Sequence, residues 1–400
     1  MYLSEITVIK PSNRRLYKAC DEVCFLSKNL YNAVLYIQRQ NYQEGKSYIG
    51  FFDMLNLLRE QNNPDFYNLC SYAAEYVAKQ VNTAYKIFFS KLKSKKEGNF
   101  AKKVSLPRYK DKVKGRNVTT FYKKALLKRT YKKEGLIHLS QTKIKFKSKI
   151  PLEQIQYVKV LPKNGFYELH VVYIVKEEKP VETENYAAID LGFNNLATVV
   201  TTNSSPFIVN GRPLKSINHN WNKRVAKLKS KLKKGARTSK KIRSITNKRT
   251  RRVNDYLHKA SRALVNELRK LSISKVVIGH NNGWKENINL GERNNQNFVQ
   301  IPHSRFIEMI TYKCMLVGIK VVLKEETYTS KCSFLDNESV KKHNVYLGKR
   351  VKRGLFMSSN GTLINADVNG AYNIMKKHLR IEPSVLDLVQ VCITPKVLKF

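Results

Sequence analysis

Hydrophobic and polar residues change their spacing several times along this chain, and each spacing predicts a different element. Residues 3–9 alternate between the two classes, which predicts a β-strand with one buried face. From about Ala19 to Lys93 the apolar residues recur at helical spacing and glycine is scarce, so two to four helices are predicted. They belong to a helical module of residues 19–98.

Short strands are predicted in the stretch that follows this module. Apolar runs fall at 142–146, 157–161 and 167–173, and the sequence Pro-Lys-Asn-Gly between the last two favours a β-hairpin turn. Together with the first strand, these runs suit a small antiparallel β-barrel built from residues 1–18 and 99–180.

An acidic, proline-containing segment at residues 176–185 separates this half from a second pattern. Three strands in a meander are predicted from Tyr186 to Val209, and then helix, strand, helix, strand and a last helix at about 369–377. That order is typical of a ribonuclease H-like α/β sheet. The predicted fold class is therefore α/β plus a β-barrel.

The net charge of the chain indicates what kind of partner the protein binds. The chain has 75 Lys and Arg residues against 30 Asp and Glu residues, a formal net charge of +45, so a polyanionic partner is expected. Residues 221–252 carry fifteen Lys and Arg and no acid, which predicts a basic helical hairpin, over 221–271, lying along phosphates. On charge alone, a ribosomal-type or chromatin-type binder without chemistry is the alternative.

The spacing of the cysteines and the length of the apolar runs indicate the cellular compartment of the protein. The six cysteines form no Cys-x-x-Cys pair, so neither a disulfide framework nor a zinc ribbon is predicted. Residues 1–10 lack the apolar core of a signal peptide, and no run approaches the roughly 18 apolar residues of a membrane span. We expect a cytoplasmic protein without a membrane partner, associated with the nucleoid in a prokaryote.

Two acids in this acid-poor chain fall at unusual places. Asp190 ends an apolar strand, where an ionised carboxylate is costly unless it is paired or metal-bound. Asp367 opens the last predicted helix. Such carboxylates suit phosphodiester hydrolysis with two Mg²⁺ ions about 4 Å apart. The alternatives are a turn aspartate at Asp190 and a helix N-cap at Asp367.

Several motifs, in this order, resemble those of the transposon-encoded TnpB proteins. They are an Ile-Asp-Leu-Gly strand end (189–192), a Tyr-Thr-Ser-Lys segment (328–331) and an Asp-x-Asn-x-Ala-x-Asn-Ile helix (367–374), which look like RuvC nuclease motifs. The likeness extends to residues 255–261 and 106–110. TnpB is related to the Fanzor proteins and is the presumed ancestor of type V CRISPR effectors.

The resemblance implies an RNA-guided DNA endonuclease of a transposable element that uses two Mg²⁺ ions, with Mn²⁺ as an alternative. The implied partners are a guide RNA derived from the transposon end and double-stranded target DNA with a short adjacent motif. The implied parts are a wedge barrel (1–18 and 99–180), a helical recognition module (19–98), a RuvC-type nuclease core (185–328), a basic lid (329–362), the last RuvC helix (363–380) and a tail (381–400).

This chain departs from the TnpB pattern at the middle catalytic acid. The usual glutamate is replaced by Gly279, and family members with this loss tend to carry a relocated Glu before the Thr-Ser-Lys segment. Here Glu325 and Glu326 are available, and period-two alternation lets only one of them face the metals. We favour Glu326 beside Asp190 and Asp367 as catalytic and metal-binding residues, with Glu325 in reserve. The alternative is an inactive nuclease that binds DNA under RNA guidance.

A second departure concerns zinc. TnpB proteins often have a four-cysteine ribbon before the last Asp, whereas only Cys332 falls there in this chain. We therefore expect no structural zinc, and a metal-free lid that guides the substrate strand.

Candidate nucleic-acid contacts come from the resemblance and from the basic segments. In the first half, each candidate is equally compatible with a solvated or packing role: Asn29, Tyr72, Gln80, Arg108 and Lys110. In the second half, the candidates are Arg237, Lys241, Arg249, Arg252, Lys331, Arg350 and Arg353.

A transposase of the DDE type is a further alternative, because it places similar carboxylates on a similar fold. It predicts strand transfer by the purified protein without RNA. The long basic N-terminal half and the motif order argue against it.

Overall fold

A computed structural model describes residues 1–281, 301–352, 354–379 and 393–400. The chain divides into two compact units, Met1–Val175 and Lys176–Phe400. None of the described helices combines the length and the apolarity that crossing a bilayer demands.

The first unit combines an antiparallel sheet with a group of helices. Its helices are α1 (Arg14–Gln43), α2 (Phe51–Glu60), α3 (Pro64–Tyr67), α4 (Ser71–Lys96) and α5 (Lys128–Glu134). Its strands are β1 (Tyr2–Ile9), β2 (Thr119–Tyr122), β3 (Ile137–His138), β4 (Lys145–Phe146), β5 (Ile155–Pro162) and β6 (Tyr167–Ile174).

Local chemistry explains where these elements begin and turn. The side chain of Asn13 accepts the Leu16 N–H and thereby caps the start of α1. Gly165 takes the left-handed conformation, with φ of 89°, in the β5–β6 hairpin, as the Asn-Gly signal predicts. Four helices fill residues 14–96, within the predicted range.

The expected barrel differs from the observed sheet. The strands are ordered β1-β6-β5-β2, and β3 pairs with β4 in a separate ladder. Within the described part of this unit, no ladder joins β1 to β2. The sheet is therefore open, because the two short strands pair with each other instead of with its edges.

The second unit is built on a six-stranded mixed sheet. Its first elements are β7 (Tyr186–Asp190), β8 (Asn195–Thr201), β9 (Phe207–Asn210), α6 (Arg212–Lys229) and α7 (Lys240–Lys270). There follow β10 (Lys275–Gly279), α8 (His303–Leu316), β11 (Lys320–Lys324), β12 (Lys349–Lys352), β13 (Leu355–Met357), β14 (Leu363–Asn365), α9 (Ala366–Leu379) and β15 (Lys396–Val397).

The sheet order is β11-β10-β7-β8-β9-β15. The strands β7, β8 and β9 form the predicted antiparallel meander, and β10 and β11 add parallel to β7. The carboxyl ends of β7, β10 and β11 therefore meet at one edge of the sheet.

Helices cover both faces of this sheet. Ala187 and Ile189 pack with apolar residues of α7 and α8, whereas Ala188, between them, packs with apolar residues of α9. Because both faces of β7 are buried, its sequence is an unbroken apolar run up to Asp190.

Two predicted boundaries in this unit are wrong. The basic hairpin starts at Arg212 instead of at residue 221, because Pro213 fits the first turn of α6. The lid, for which no strands were predicted, contains β12 and β13, which form a three-stranded antiparallel sheet with β14.

Candidate active site

The shared edge of the parallel strands brings together the positions that the motifs single out. Ile189 pairs with Ile278, and Gly279 pairs with Lys324. Asp190 ends β7, Gly279 ends β10, and Glu326 comes two residues after β11. All three positions lie at the same end of neighbouring strands.

The Glu326 side chain occupies the space beside Gly279. A Cβ placed on Gly279 would lie 2.7 Å from Oε2 of Glu326 and 3.2 Å from its Cβ. Oε2 is buried and has no hydrogen-bond partner among the described residues. Burial raises the pKa of Glu326 to about 7. A buried carboxylate oxygen without a donor is the kind of group that a cation stabilises.

Glu325 lies differently. It is exposed, and its carboxylate accepts a hydrogen bond from the Thr327 hydroxyl. Its backbone carbonyl bonds to Nε2 of His378 at 2.8 Å. Of the two candidate glutamates, only Glu326 turns its carboxylate into the sheet edge.

Asp190 lies within electrostatic reach of two other acids. Burial raises its pKa well above the usual value, and the charges of Glu326 and Asp367 raise it further, whereas Arg350 lowers it. A Cβ placed on Gly370 would lie 3.0 Å from Oδ2 of Asp190. The carboxylate therefore packs against the backbone of α9, one turn beyond Asp367.

Asp367 does not cap its helix. The side chain of Asn365 takes that role, since it accepts the N–H groups of Asp367 at 3.0 Å and of Val368 at 3.3 Å. Oδ2 of Asp367 instead accepts from Asn195 at 2.8 Å, and Oδ1 lies 3.5 Å from Nη2 of Arg350. The N-cap alternative for Asp367 is wrong.

The donor set suits a hard divalent ion better than zinc, because it consists of carboxylate oxygens. In the described ranges, no three His, Cys, Asp or Glu side chains are already grouped closely enough to hold an ion. Three neighbouring carboxylates repel one another, so a cation would draw their oxygens together. Oε2 of Glu326, which is buried and has no hydrogen-bond partner among the described residues, is suited to bind such a cation.

The lid is organised by hydrogen bonds around its single cysteine. The Cys332 thiol is 3.5 Å from the Lys341 carbonyl, and the amides of Asn369 and Asn373 both donate to the Cys332 carbonyl. The buried Glu338 carboxylate accepts the N–H groups of two other residues of the lid, Ser333 and Leu347.

Two of the candidate nucleic-acid contacts in the first unit, Gln80 and Lys110, contact other residues of that unit. The Gln80 amide donates to the Val118 carbonyl and accepts from Asn117, which favours the packing alternative for this residue. The Lys110 ammonium lies 4.7 Å from the centre of the Tyr31 ring. Of the other candidates, Arg108 is exposed, and the last two are partly buried: Asn29 and Tyr72.

The basic candidates of the second unit separate into three groups. Exposed side chains are those of Arg237, Lys241, Arg252 and Lys331. Arg249 is half-buried, where its Nε donates to Asn218 and its guanidinium lies over Trp221. Arg353 lies outside the described residues.

The sequence pattern did not predict the contacts that two side chains make at this site. Arg350, expected to contact nucleic acid, reaches the carboxylates through its pairing with Asp367. Asn195 was not singled out, although its position in the Ile-Asp-Leu-Gly-Phe-Asn-Asn-Leu-Ala stretch beside Asp190 was a usable signal.

Family models match two parts of the chain. A model described as "Probable transposase" (OrfB_IS605) matches residues 170–285, and a model described as "Cas12f1-like, TNB domain" matches residues 303–374. The matched segments include Asp190 and Gly279 in the first case and Glu326 and Asp367 in the second.

Curated relatives are similar over part of their length. "TnpB-like protein ORF457" of Acidianus two-tailed virus is 26% identical over 203 residues, which is 48% of this chain and 41% of that protein. "CRISPR-associated endodeoxyribonuclease Cas12f2" of a Micrarchaeota archaeon is 28% identical over 254 residues, 58% of this chain and 44% of that protein. The alignments thus span less than half of each relative.

A solved structure shares the fold. The "Cryo-EM structure of the Cas12f1-sgRNA-target DNA complex" matches with a TM-score of 0.55 at 15% identity, covering 88% of this chain and 81% of that chain. At this identity the match shows a common mixed α/β architecture.

Proposed function

Because the chain belongs to the TnpB-type family, we propose that it is an RNA-guided DNA endonuclease that cleaves with the carboxylates of Asp190, Glu326 and Asp367. The observation that carries the proposal is the Glu326 carboxylate, which fills the space beside Gly279 and has a buried oxygen without a donor. The relocated glutamate thus supplies an acid at the strand end where the TnpB pattern has one.

Each carboxylate has a defined setting. Asp190 ends the central strand, Glu326 reaches across from the neighbouring parallel strand, and Asp367 projects from the first turn of α9. Two Mg²⁺ ions, or Mn²⁺, held by these three residues would supply an activated water and relieve charge on the leaving oxygen.

Arg350 adds a positive charge at the same place. Its guanidinium is 3.5 Å from Oδ1 of Asp367 and lowers the pKa of Asp190. It belongs to β12 of the lid, so movement of the lid would move this charge relative to the carboxylates. Arg350 thereby offsets part of the repulsion among the three acids.

The substrate side of the proposal is supported by charge. A net charge of +45 favours a polyanionic partner, and α6 and α7 present exposed basic residues along their length. We assign residues 185–380 to a ribonuclease H-like RuvC nuclease with its lid, and the first unit to binding of the guide–target duplex and the adjacent motif. Guide pairing would supply sequence recognition.

The test is to purify the protein with its RNA, sequence that RNA and retarget its guide segment. We expect Mg²⁺-dependent cleavage that follows the new guide and is abolished by Asp190→Ala, while RNA binding persists. Cleavage that survives Asp190→Ala would contradict the assignment. Binding of target DNA without any nicking would favour an inactive binder, and strand transfer without RNA would favour a transposase.

A further inference from the structure

One polar side chain beside the carboxylates, that of Asn195, is not among the three acids of the proposed site. Asn195 stands at the start of β8, and its Nδ2 donates to Oδ2 of Asp367 at 2.8 Å. The two residues are 172 positions apart in the chain, so the contact joins β8 directly to the first turn of α9. An amide that donates to a carboxylate stabilises its ionised form and fixes its orientation.

The backbone around Asn195 is shaped for this contact. Asn195 pairs with Asn210 and Ala197 pairs with Val209, so β8 has one extra residue between these pairs. Such a β-bulge re-aims the side chains next to it. The bulged Leu196 is fully buried, which anchors the irregularity in the core and leaves Asn195 at the sheet edge.

The turn before Asn195 is fixed from both sides. A Cβ on Gly192 would lie 2.5 Å from the Asn195 carbonyl oxygen, so the turn closes only because that position lacks a side chain. Gly211 packs equally closely against Phe193, and its N–H donates to the Asn194 carbonyl at 2.7 Å.

A buried histidine holds the same turn. Nε2 of His303, whose side chain is fully buried, lies 3.0 Å from the Gly192 carbonyl oxygen. The turn that follows Asp190 and ends at Asn195 is therefore held by β9, by the start of α6 and by α8. Asn195 is a preorganised donor and not a surface residue that meets Asp367 by chance.

We propose that Asn195 is a positioning residue, which holds the Asp367 carboxylate through Oδ2, while Arg350 lies beside Oδ1, and so fixes the orientation in which this carboxylate would meet a divalent cation. This inference rests on the proposed carboxylate site. It assigns Asn195 no contact with the reacting atoms: it acts through Asp367. Mutation of a group that hydrogen-bonds to a metal ligand typically lowers metal affinity about 10–100-fold.

The test measures Mn²⁺ binding to the full chain by electron paramagnetic resonance, with Asp190→Ala giving the background from other sites. We expect Asn195→Leu, which keeps the branched shape of the side chain and removes the donor, to weaken binding about tenfold or more. Asn195→Ala should do the same. The Mg²⁺ concentration needed for half-maximal cleavage should rise by a similar factor, with target DNA binding unchanged.

The matched control is Asn194→Ala. Asn194 lies in the same turn, but its Oδ1 accepts from Lys215 at 2.8 Å and its side chain bonds away from Asp367. We expect Mn²⁺ affinity within about twofold of wild type. Unchanged Mn²⁺ affinity in both Asn195 variants, or an equal loss in Asn194→Ala, would overturn the proposal. Site-specific Mn²⁺ binding that depends on Asn195 in a protein that never cleaves would uphold it while the proposed function fails.

Discussion

Two positions on neighbouring strands, Gly279 and Glu326, account for the altered acid of this chain. Parallel strands lie about 4.8 Å apart, a gap that a glutamate side chain spans. Glu326 therefore reaches the space beside Gly279, and that space exists because Gly279 has no side chain. The Glu326 side chain can occupy this space only because position 279 is a glycine. The acid that is absent at position 279 is in turn supplied by Glu326.

This dependence predicts a non-additive exchange. A side chain at Gly279 would meet Oε2 of Glu326 at 2.7 Å and Cδ1 of Ile374 at 2.5 Å. In an Ile374→Val background, which removes Cδ1, Gly279→Glu and Glu326→Gly should each abolish cleavage. The double variant should recover more activity than either, since residues in contact couple strongly. A double variant as inactive as both single variants would contradict the exchange.

Burial of Glu326 also predicts a pH dependence. Its pKa rises from 4.5 to about 7 on folding, so the native protein retains a proton that the unfolded chain has lost between these values. In EDTA, the stability of the wild type should therefore fall as pH rises from about 5 to about 7. Glu326→Gln should reduce this fall in Tm, and Mg²⁺ should oppose it.

The control for this titration is Glu325→Gln, whose carboxylate is exposed. It should keep the wild-type dependence of Tm on pH. Equal pH dependence in the wild type and Glu326→Gln would contradict the burial argument.

Asp190 was singled out by its place at a strand end. The resemblance to TnpB pointed to the pair Glu325 and Glu326, and alternation, a local pattern, favoured Glu326. The partners of Asp367 could not be predicted in this way. Asn195 lies 172 positions away from Asp367 in the sequence. The helix is capped by Asn365, and the sequence pattern gives no reason to prefer Asn365 over Asp367 as the cap. Hydrogen bonds between remote segments leave no periodic trace in the sequence.

At the scale of elements, α9 both carries an acid and holds the start of the lid. Asn373 donates to the carbonyls of Thr329 at 2.9 Å and Cys332 at 2.7 Å, and Asn369 donates to Cys332 at 2.9 Å. Phe334 stacks on Tyr372 of the same helix, with ring centroids 4.4 Å apart. This helix therefore couples Asp367 to the segment that contains Glu326.

Removing one of these donors should loosen the segment. We expect Asn373→Ala to cost about 1–3 kcal/mol, because it removes the side-chain donor of the buried Thr329 carbonyl and one of the two donors of the Cys332 carbonyl. Faster hydrogen exchange in residues 326–334 should accompany the loss. Lys376→Ala, on the exposed side of the same helix, should change stability by less than about 0.5 kcal/mol. Unaltered exchange in Asn373→Ala would show that packing alone holds the segment.

The order of elements from β7 to β11 was predictable because β7, β8 and β10 are apolar runs of five to seven residues. The open sheet of the first unit was not predicted, since β3 and β4 have only two residues each and their pairing depends on contacts that the sequence does not display. The three-stranded sheet in the lid escaped prediction for the same reason, its strands being three or four residues long.

At the scale of the whole molecule, the proposed binding of nucleic acid would depend on the charge of the chain. Each neutralised phosphate contributes about 0.7–0.9 to the slope of log K against log salt. The exposed residues Lys241 and Arg252 of α7 carry part of this charge. The double variant Lys241→Ala/Arg252→Ala should weaken binding of the co-purified RNA or its target duplex and lower the slope by up to about 2.

The charge-matched control removes two lysines that already face carboxylates. Lys46 lies 2.7 Å from Glu44, and Lys93 lies 3.9 Å from Glu97. Lys46→Ala/Lys93→Ala lowers the net charge equally, yet should leave the slope nearly unchanged. Equal slopes in the two double variants would mean that total charge, and not the basic hairpin, sets the affinity.

The most direct measurement is the single-turnover rate of guide-directed DNA cleavage in Mg²⁺ for Glu326→Gln and Glu325→Gln. Even indirect perturbation of a metal ligand costs about 10–100-fold, so Glu326→Gln should slow cleavage by more than about a hundredfold. Glu325→Gln should stay within a few-fold of wild type. Wild-type rates in Glu326→Gln would contradict the assignment of the relocated acid.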